Sequence, residues 1–450
     1  MAQQSAIEKL GYKQELKRSL SFWDLLIYGL IFMVPIAPFG IYGDVVTTSK
    51  GMVALAYLIG MVGMIFTALS YARMSEAFPI AGSVYAYAGK GINQYVGFVA
   101  GWSILLDYIL VPALLYVVSA QALTGMVPGV PSWVWLVVFI VINTIINYFG
   151  IEFTAKANIV ILIFELIVLA LFIVIGIVAI AKGVNGAEFS FKPLYDPDYF
   201  SMHLVMSAVS IAVLSFLGFD AISTLSEETK GGVKSIGRAT IASLLIVGVL
   251  FMVQTWIAAL VFPDFNSFDD IGTAFYQVAD IAGGGWLGNL TAIAIAIAWG
   301  IADALVAQAA ISRVLYSMAR DRKLPRFLAK VHPKYKTPYI STVIVAIISL
   351  IVGIAFISNV DVLSSFVNFG ALTAFLFLHV SVFIHYIIKN KSRDYWNHFV
   401  LPLIGFVIIG YVWISLATQA KILGLSWLAI GIIIAIIFAV QKKDTSLDLH

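Results

Sequence analysis

Apolar residues occupy this chain in long blocks separated by short polar turns. Twelve blocks read as membrane-crossing helices: about 22–48, 52–73, 94–118, 131–148, 155–182, 203–226, 237–262, 286–318, 338–357, 365–388, 399–418 and 423–440. Each approaches or exceeds the roughly 20 residues that a helix needs to cross about 30 Å of hydrocarbon. The segment 263–285 reads as a loop with room for a short helix in FDDIGTAFYQVAD, and no soluble domain interrupts the series. The pattern predicts an all-α polytopic membrane protein of 12 transmembrane helices.

Composition agrees. Hydrophobic residues make up 61% of the chain and charged residues 11%, where soluble domains carry about 25% charge. Mean hydropathy is +0.98. The lipid bilayer is therefore the expected surrounding. The net charge of +3 is small and calls for no nucleic-acid partner. With no cysteine there is no disulfide, thiolate metal site or cysteine nucleophile. The six histidines fall at no metal-ligand spacing, so no metal and no cofactor is expected. No phosphate-binding loop of the GxxxxGK(S/T) type is present, so ATP is not expected to drive the protein directly. Nucleophile–base motifs are also missing, which argues against an enzyme.

Charge also predicts orientation. With residues 1–21 inside and the helices alternating, Lys50, Lys182, Lys192 and Lys421 alone fall outside, leaving 23 of the 27 Lys and Arg inside. The positive-inside rule then places both termini, including a tail at 441–450, in the cytoplasm. No cleavable signal sequence is read in the polar, basic N-terminus.

Two of the helices look broken. The first holds MVPIAPFGIYG, with Pro35 and Pro38 at its centre; the sixth is interrupted at Gly218, Phe219 and Asp220. Proline removes a donor and clashes with the preceding turn. Freed backbone groups at membrane depth are tolerated only inside protein or along a cavity. Breaks at positions one and six suggest two five-helix halves, with a binding site where the breaks meet.

Four acids lie deep within the apolar blocks, Asp107, Glu165, Asp220 and Asp303, with no Lys or Arg at comparable depth. Such residues face the bundle interior and mark cargo or ion paths. Protons, metal cations or an organic ammonium can offset their burial. Asp220, beside the freed carbonyls of its break, is the candidate receptor for an ammonium, with Phe216 and Phe219 placed to stack on it. The alternative is that Asp220 only caps the short helix after it. At the first break the backbone at Ile36 and Ala37 and the ring of Phe39 are candidate pocket elements. Glu165 and Asp303 are a candidate proton or cation pair, since two carboxylates sharing a site do not both ionise cheaply. Asp303 is also a candidate anchor for the far amine of a diamine, and Asp107 for the cavity wall.

Six motifs then resemble one family: FPIAGSVYAYAGKGI (78–92), GWSILLDYILVP (101–112), FLGFDAISTLSEETK (216–230), SRVLYSMARDRKLP (312–325), VHPKYKTP (331–338) and VNFGALTAF (367–375). In this order they are similar to the amino acid/polyamine/organocation transporter superfamily, and nearest to its bacterial putrescine importers. The resemblance implies a LeuT-type fold of five plus five inverted helices, 22–182 and 203–388, with 399–440 outside the repeat. It implies a substrate site between the two breaks that includes Gly218, flanked by the third, eighth and tenth helices. Amino-acid carriers of this superfamily have a glycine-rich first break whose N–H groups hold a carboxylate; Pro35 and Pro38 cannot donate, which favours an amine. In ion-independent relatives a lysine stands where this chain has Glu165, and Asp303 departs even from the putrescine importers.

The expectation is a secondary active transporter in the cytoplasmic membrane that imports a small cationic amine, putrescine or a related polyamine, coupled to H+, with Na+ the second candidate. The alternatives are an amino acid:proton symporter and a membrane solute sensor that moves nothing. A monomer or weak homodimer is expected.

Overall fold

In the computed structural model Ser21 and Asp24 begin the first helix with reciprocal bonds. The Ser21 hydroxyl accepts the Asp24 N–H at 3.3 Å, and the Asp24 carboxylate accepts the Ser21 N–H at 2.8 Å. This capping box satisfies two of the donors that a helix start leaves open. The structure describes residues 20–78, 83–149, 155–229, 233–320, 325–335 and 337–440. The expected cytoplasmic ends, 1–21 short of its last two residues and 441–450, lie outside them.

The first block is two helices, α1 (Phe22–Met33) and α2 (Pro38–Thr48), bent by 58°. Val34 ends α1 with φ 45°, a conformation costly for a β-branched residue, and Pro38 opens α2 at a position where its missing N–H costs nothing. Then follow α3 (Val53–Ala77), α4 (Ser83–Gly91), α5 (Gln94–Met126), α6 (Ser132–Phe149), α7 (Ala155–Ala181) and α8 (Met202–Ala212). The chain tightens into 3₁₀ turns at Val213–Phe216, reverses at Gly218 (φ 102°) and continues as a 3₁₀ helix, Phe219–Glu228. The remainder is α9 (Val233–Val261), α10 (Ala274–Gly283), α11 (Gly285–Ile297), a π turn at Ala298–Asp303, α12 (Ala304–Arg320), α13 (Tyr339–Ala355), α14 (Val360–Val382), α15 (Leu401–Ile414) and α16 (Thr418–Val440).

Among the described residues nine helices are long and apolar enough to cross a membrane, ten with the bent pair counted as one; Met202–Phe216 and Tyr339–Ala355 are apolar but shorter. The described residues form no strand; Leu20 and Thr229 make an isolated bridge. The short helix expected in the 263–285 loop is α10. The third block is longer than expected: α5 has 33 residues and runs through Pro112 to Met126. The weakly polar sequence after 118 hid its last turns.

Buried amides hold the irregular points. Gln254 on α9 donates to Pro35 O at 3.0 Å, within the first break. Asn368 on α14 donates to Ser210 O at 2.8 Å, just ahead of the second. Asn143 on α6 donates to Gly300 O at 2.7 Å, in the π turn. Each carbonyl is one that a regular helix would pair itself, so the amides answer the rule that buried backbone groups be bonded. The outer helices face lipid. On α16 only Ala420, Gly424, Gly431 and Ala435 are buried. They form one small-residue face, against which the Phe369 and Trp102 rings pack at Gly424 and Gly431.

Candidate functional site

The two breaks and the π turn border one cavity of about 700 Å³. Ala37 lines it from the first break, Gly218 and Asp220 from the second, Asp107 and Tyr108 from α5, and Trp299 and Asp303 from the π turn. The cavity runs on to Arg313 on α12 and Thr337 before α13. Arg313 is exposed at that mouth and is the only Lys or Arg among the described residues that line it.

Asp220 is buried. It accepts a long hydrogen bond from Tyr71 Oη at 3.5 Å, and Tyr71 Oη is 3.1 Å from Ser83 Oγ. The residue before the 3₁₀ helix is Gly218, and Asp220 sits inside the first turn, where its carboxylate also meets the backbone N–H groups of Gly218 and Asp220. Asp107 is buried too, and its Oδ1 has no hydrogen-bond partner. Asp107 and Asp220 stand within Coulombic reach of each other. Asp303 looks both ways: it lines the large cavity and also a chamber of about 30 Å³, which it shares with Glu165, Val34 and Asn158. That is room for about one water. Glu165 and Asp303 are electrostatically coupled, and Glu165 Oε2 has no partner. The acids thus fall into two pairs, joined by Asp303.

Four expected residues are placed elsewhere. Ile36 is fully buried and does not line the cavity. Phe39 stacks on Phe275 with centroids 3.9 Å apart, beyond the first break. Phe216 packs against Phe251 at 5.1 Å, and Phe219 against Phe375 at 5.5 Å and Tyr71 at 5.6 Å. These rings turn toward aromatic partners on other helices, which takes them off the cavity wall. The aromatic wall is instead Tyr28, Phe32, Tyr108 and Trp299. Tyr108 follows Asp107 in the LLDY motif, and Trp299 precedes Gly300; adjacency to an acid and to a glycine were the available signals. Tyr71 carried none.

The first break has little to offer an anion. Pro35 and Pro38 have no N–H. The Ala37 N–H donates to Val34 O at 2.8 Å, and the Phe39 N–H to Ile36 O at 2.9 Å. Asp107, Asp220 and Asp303 bring three carboxylates to the site, which suits a cation.

Residues 20–441 match the family model described as amino acid permease. The chain is 33% identical over 427 residues to the low-affinity putrescine importer PlaP of Escherichia coli K12, covering 93% of each. It is 27% identical to the branched-chain amino acid permease BcaP of Bacillus subtilis, over 99% of this chain and 97% of that protein. It is also 27% identical to the methylthioribose transporter of the same organism, over 94% and 92%.

Proposed function

The chain belongs to the amino acid permease family, and within it we propose a secondary transporter that imports a small organic cation, putrescine or a related polyamine, by alternating access. One observation carries this reading: Asp107, Asp220 and Asp303 line a single cavity in which Arg313, exposed at the mouth, is the only basic residue among the described lining residues. In such a site a carboxylate needs a cation to offset its burial. One ammonium binds at Asp220 and Asp107; Asp303 receives the far amine. Putrescine import by a relative of 33% identity supports the same cargo.

The architecture proposed with it is twelve spans in a five-plus-five inverted repeat, 22–182 and 203–388, with 399–440 appended and both termini in the cytoplasm. Counting the two short apolar helices as spans brings the ten of the structure to twelve. With that orientation the mouth at Arg313 faces inward, and the Phe39–Phe275 stack closes the outer side. Ile36, Phe39, Phe216 and Phe219 then act as packing behind the pocket rather than as contacts. Glu165 and Asp303 carry the coupling proton, with Na+ the second candidate. Their shared chamber touches the first break, so its charge state acts on the element that moves.

Uptake of labelled putrescine into proteoliposomes tests the cargo. Unlabelled diamines are expected to compete, leucine is not, and Asp220→Asn is expected to abolish uptake. The second reading, an amino acid symporter, draws on the apolar wall of Val111, Leu114 and Leu214 and on the branched-chain relative. Competition by leucine without competition by diamines establishes it instead.

A further inference from the structure

Tyr71 stands on α3 outside the wall of the central cavity, yet its hydroxyl reaches an acid that lines it. Tyr71 Oη lies 3.5 Å from Asp220 Oδ2 and 3.1 Å from Ser83 Oγ, at the start of α4. Ser83 also stands beside the Asp220 carboxylate, so two hydroxyls and one acid form a triangle that joins α3, α4 and the second break. All three side chains are buried. A phenol has one proton to give and a carboxylate only accepts. The Tyr71 proton is therefore committed to Asp220, and the Ser83 hydroxyl donates within the same triangle.

The ring that carries this hydroxyl is held from three sides. Tyr87 on α4, Phe219 in the 3₁₀ helix and Phe375 on α14 meet it edge-on, with centroids 6.0, 5.6 and 6.0 Å away. The packing needs only the ring, and a phenylalanine would supply all three contacts. Tyrosine adds a donor that reaches Asp220 from behind the cavity wall. The backbone N–H groups of Gly218 and Asp220 also meet the carboxylate, but they belong to its own break. Tyr71 and Ser83 tie it to other helices. Their hold from behind leaves the cavity side of Asp220 for a cation.

We propose that Tyr71 is a positioning residue for cargo binding: its hydroxyl, steadied by Ser83, holds the Asp220 carboxylate toward the cavity in the orientation that receives an ammonium. This role rests on the cargo reading above, in which Asp220 is the ammonium receptor. Tyr71 itself touches no cargo. It acts through Asp220, by sparing the incoming cation the cost of ordering that side chain. Its loss lowers the affinity for any amine that uses Asp220 and leaves the rate of the conformational step unchanged.

Labelled putrescine tests it, by binding to the full chain in detergent and by uptake into proteoliposomes. Tyr71→Phe keeps the ring contacts and removes the donor. Its dissociation constant and KM are expected to rise about tenfold, with the maximal rate held to within about twofold. Ser83→Ala, which leaves Tyr71 in place, is expected to weaken binding about threefold. The control is Tyr386→Phe, which removes a hydroxyl bonded to the same helix α3 at Arg73 O; its affinity is expected to stay within about twofold of wild type. Equal losses in Tyr71→Phe and Tyr386→Phe, or a Tyr71→Phe defect in maximal rate with KM unchanged, reduce Tyr71 to a packing residue and overturn the proposal. Unchanged affinity in Tyr71→Phe, beside lost binding in Asp220→Asn, also overturns it and leaves the cargo reading intact. A wild type that binds no putrescine, or an Asp220→Asn variant that binds it fully, removes the cargo reading and the role of Tyr71 together.

Discussion

Trp102 and Trp427 exchange hydrogen bonds: each indole N–H donates to the other's backbone carbonyl at 2.8 Å, with the rings stacked 4.5 Å apart. The pair fastens α16 to α5, beside the Phe98–Phe438 ring contact. Trp427→Phe keeps the stacking and removes one bond, worth about 1 kcal/mol. The melting temperature should fall by a few degrees while putrescine affinity stays within twofold. A large loss of affinity would show that α16 reaches the cavity.

Gln254 supplies the Pro35 carbonyl with its donor. Gln254→Leu leaves that carbonyl buried and unpaired, at a cost of about 1–3 kcal/mol. Thermal unfolding should register the loss, and the maximal rate of uptake should fall more than the affinity, because Gln254 does not line the cavity.

Gly218 adopts φ 102°, and a Cβ there would stand 3.0 Å from Phe32 O. Gly218→Ala forces an L-residue into this region at roughly 1–2 kcal/mol and presses on α1. Binding measured by calorimetry should weaken at least tenfold. An unchanged isotherm would mean that the second break is not part of the site.

Asp107 has a carboxylate oxygen with no partner in the cavity wall. If Asp107 shares the cargo's ammonium with Asp220, Asp107→Asn should raise the dissociation constant about tenfold, or ~1.4 kcal/mol. Asp107→Asn and Asp220→Asn should be non-additive, since the two carboxylates stand within Coulombic reach.

Proton coupling through Glu165 has a definite sign. Wild-type uptake should rise as the outside is made more acidic than the inside, because an inward proton gradient then drives cargo in. Glu165→Gln should flatten this dependence and still exchange internal for external putrescine. A full pH response in that variant would assign the coupling elsewhere.

The two breaks were legible because proline and glycine leave local marks. Pro35 and Pro38 announced the bend between α1 and α2, and Gly218 the reversal before Phe219. The acids were legible as well, since a carboxylate within an apolar run has few structural excuses. The supports were not. Gln254, Asn143 and Asn368 meet carbonyls 219, 157 and 158 residues away, and nothing in their own helices shows why an amide is there. The roles expected for Phe39, Phe216 and Phe219 rested on nearness in sequence to the breaks. In three dimensions each ring instead meets aromatic partners from other helices. The π turn at Ala298–Asp303 was also hidden, as a stretch of apolar residues around Gly300 gives no sign of a widened turn.

The amides that hold the irregular points make distant parts of the gene answer to one another. A substitution that straightens the bend after Met33 frees Gln254 to become apolar, and an apolar residue at 254 in turn makes that bend expensive. Prolines and amides should therefore be gained and lost as pairs among descendants of this sequence, even though two hundred residues separate them.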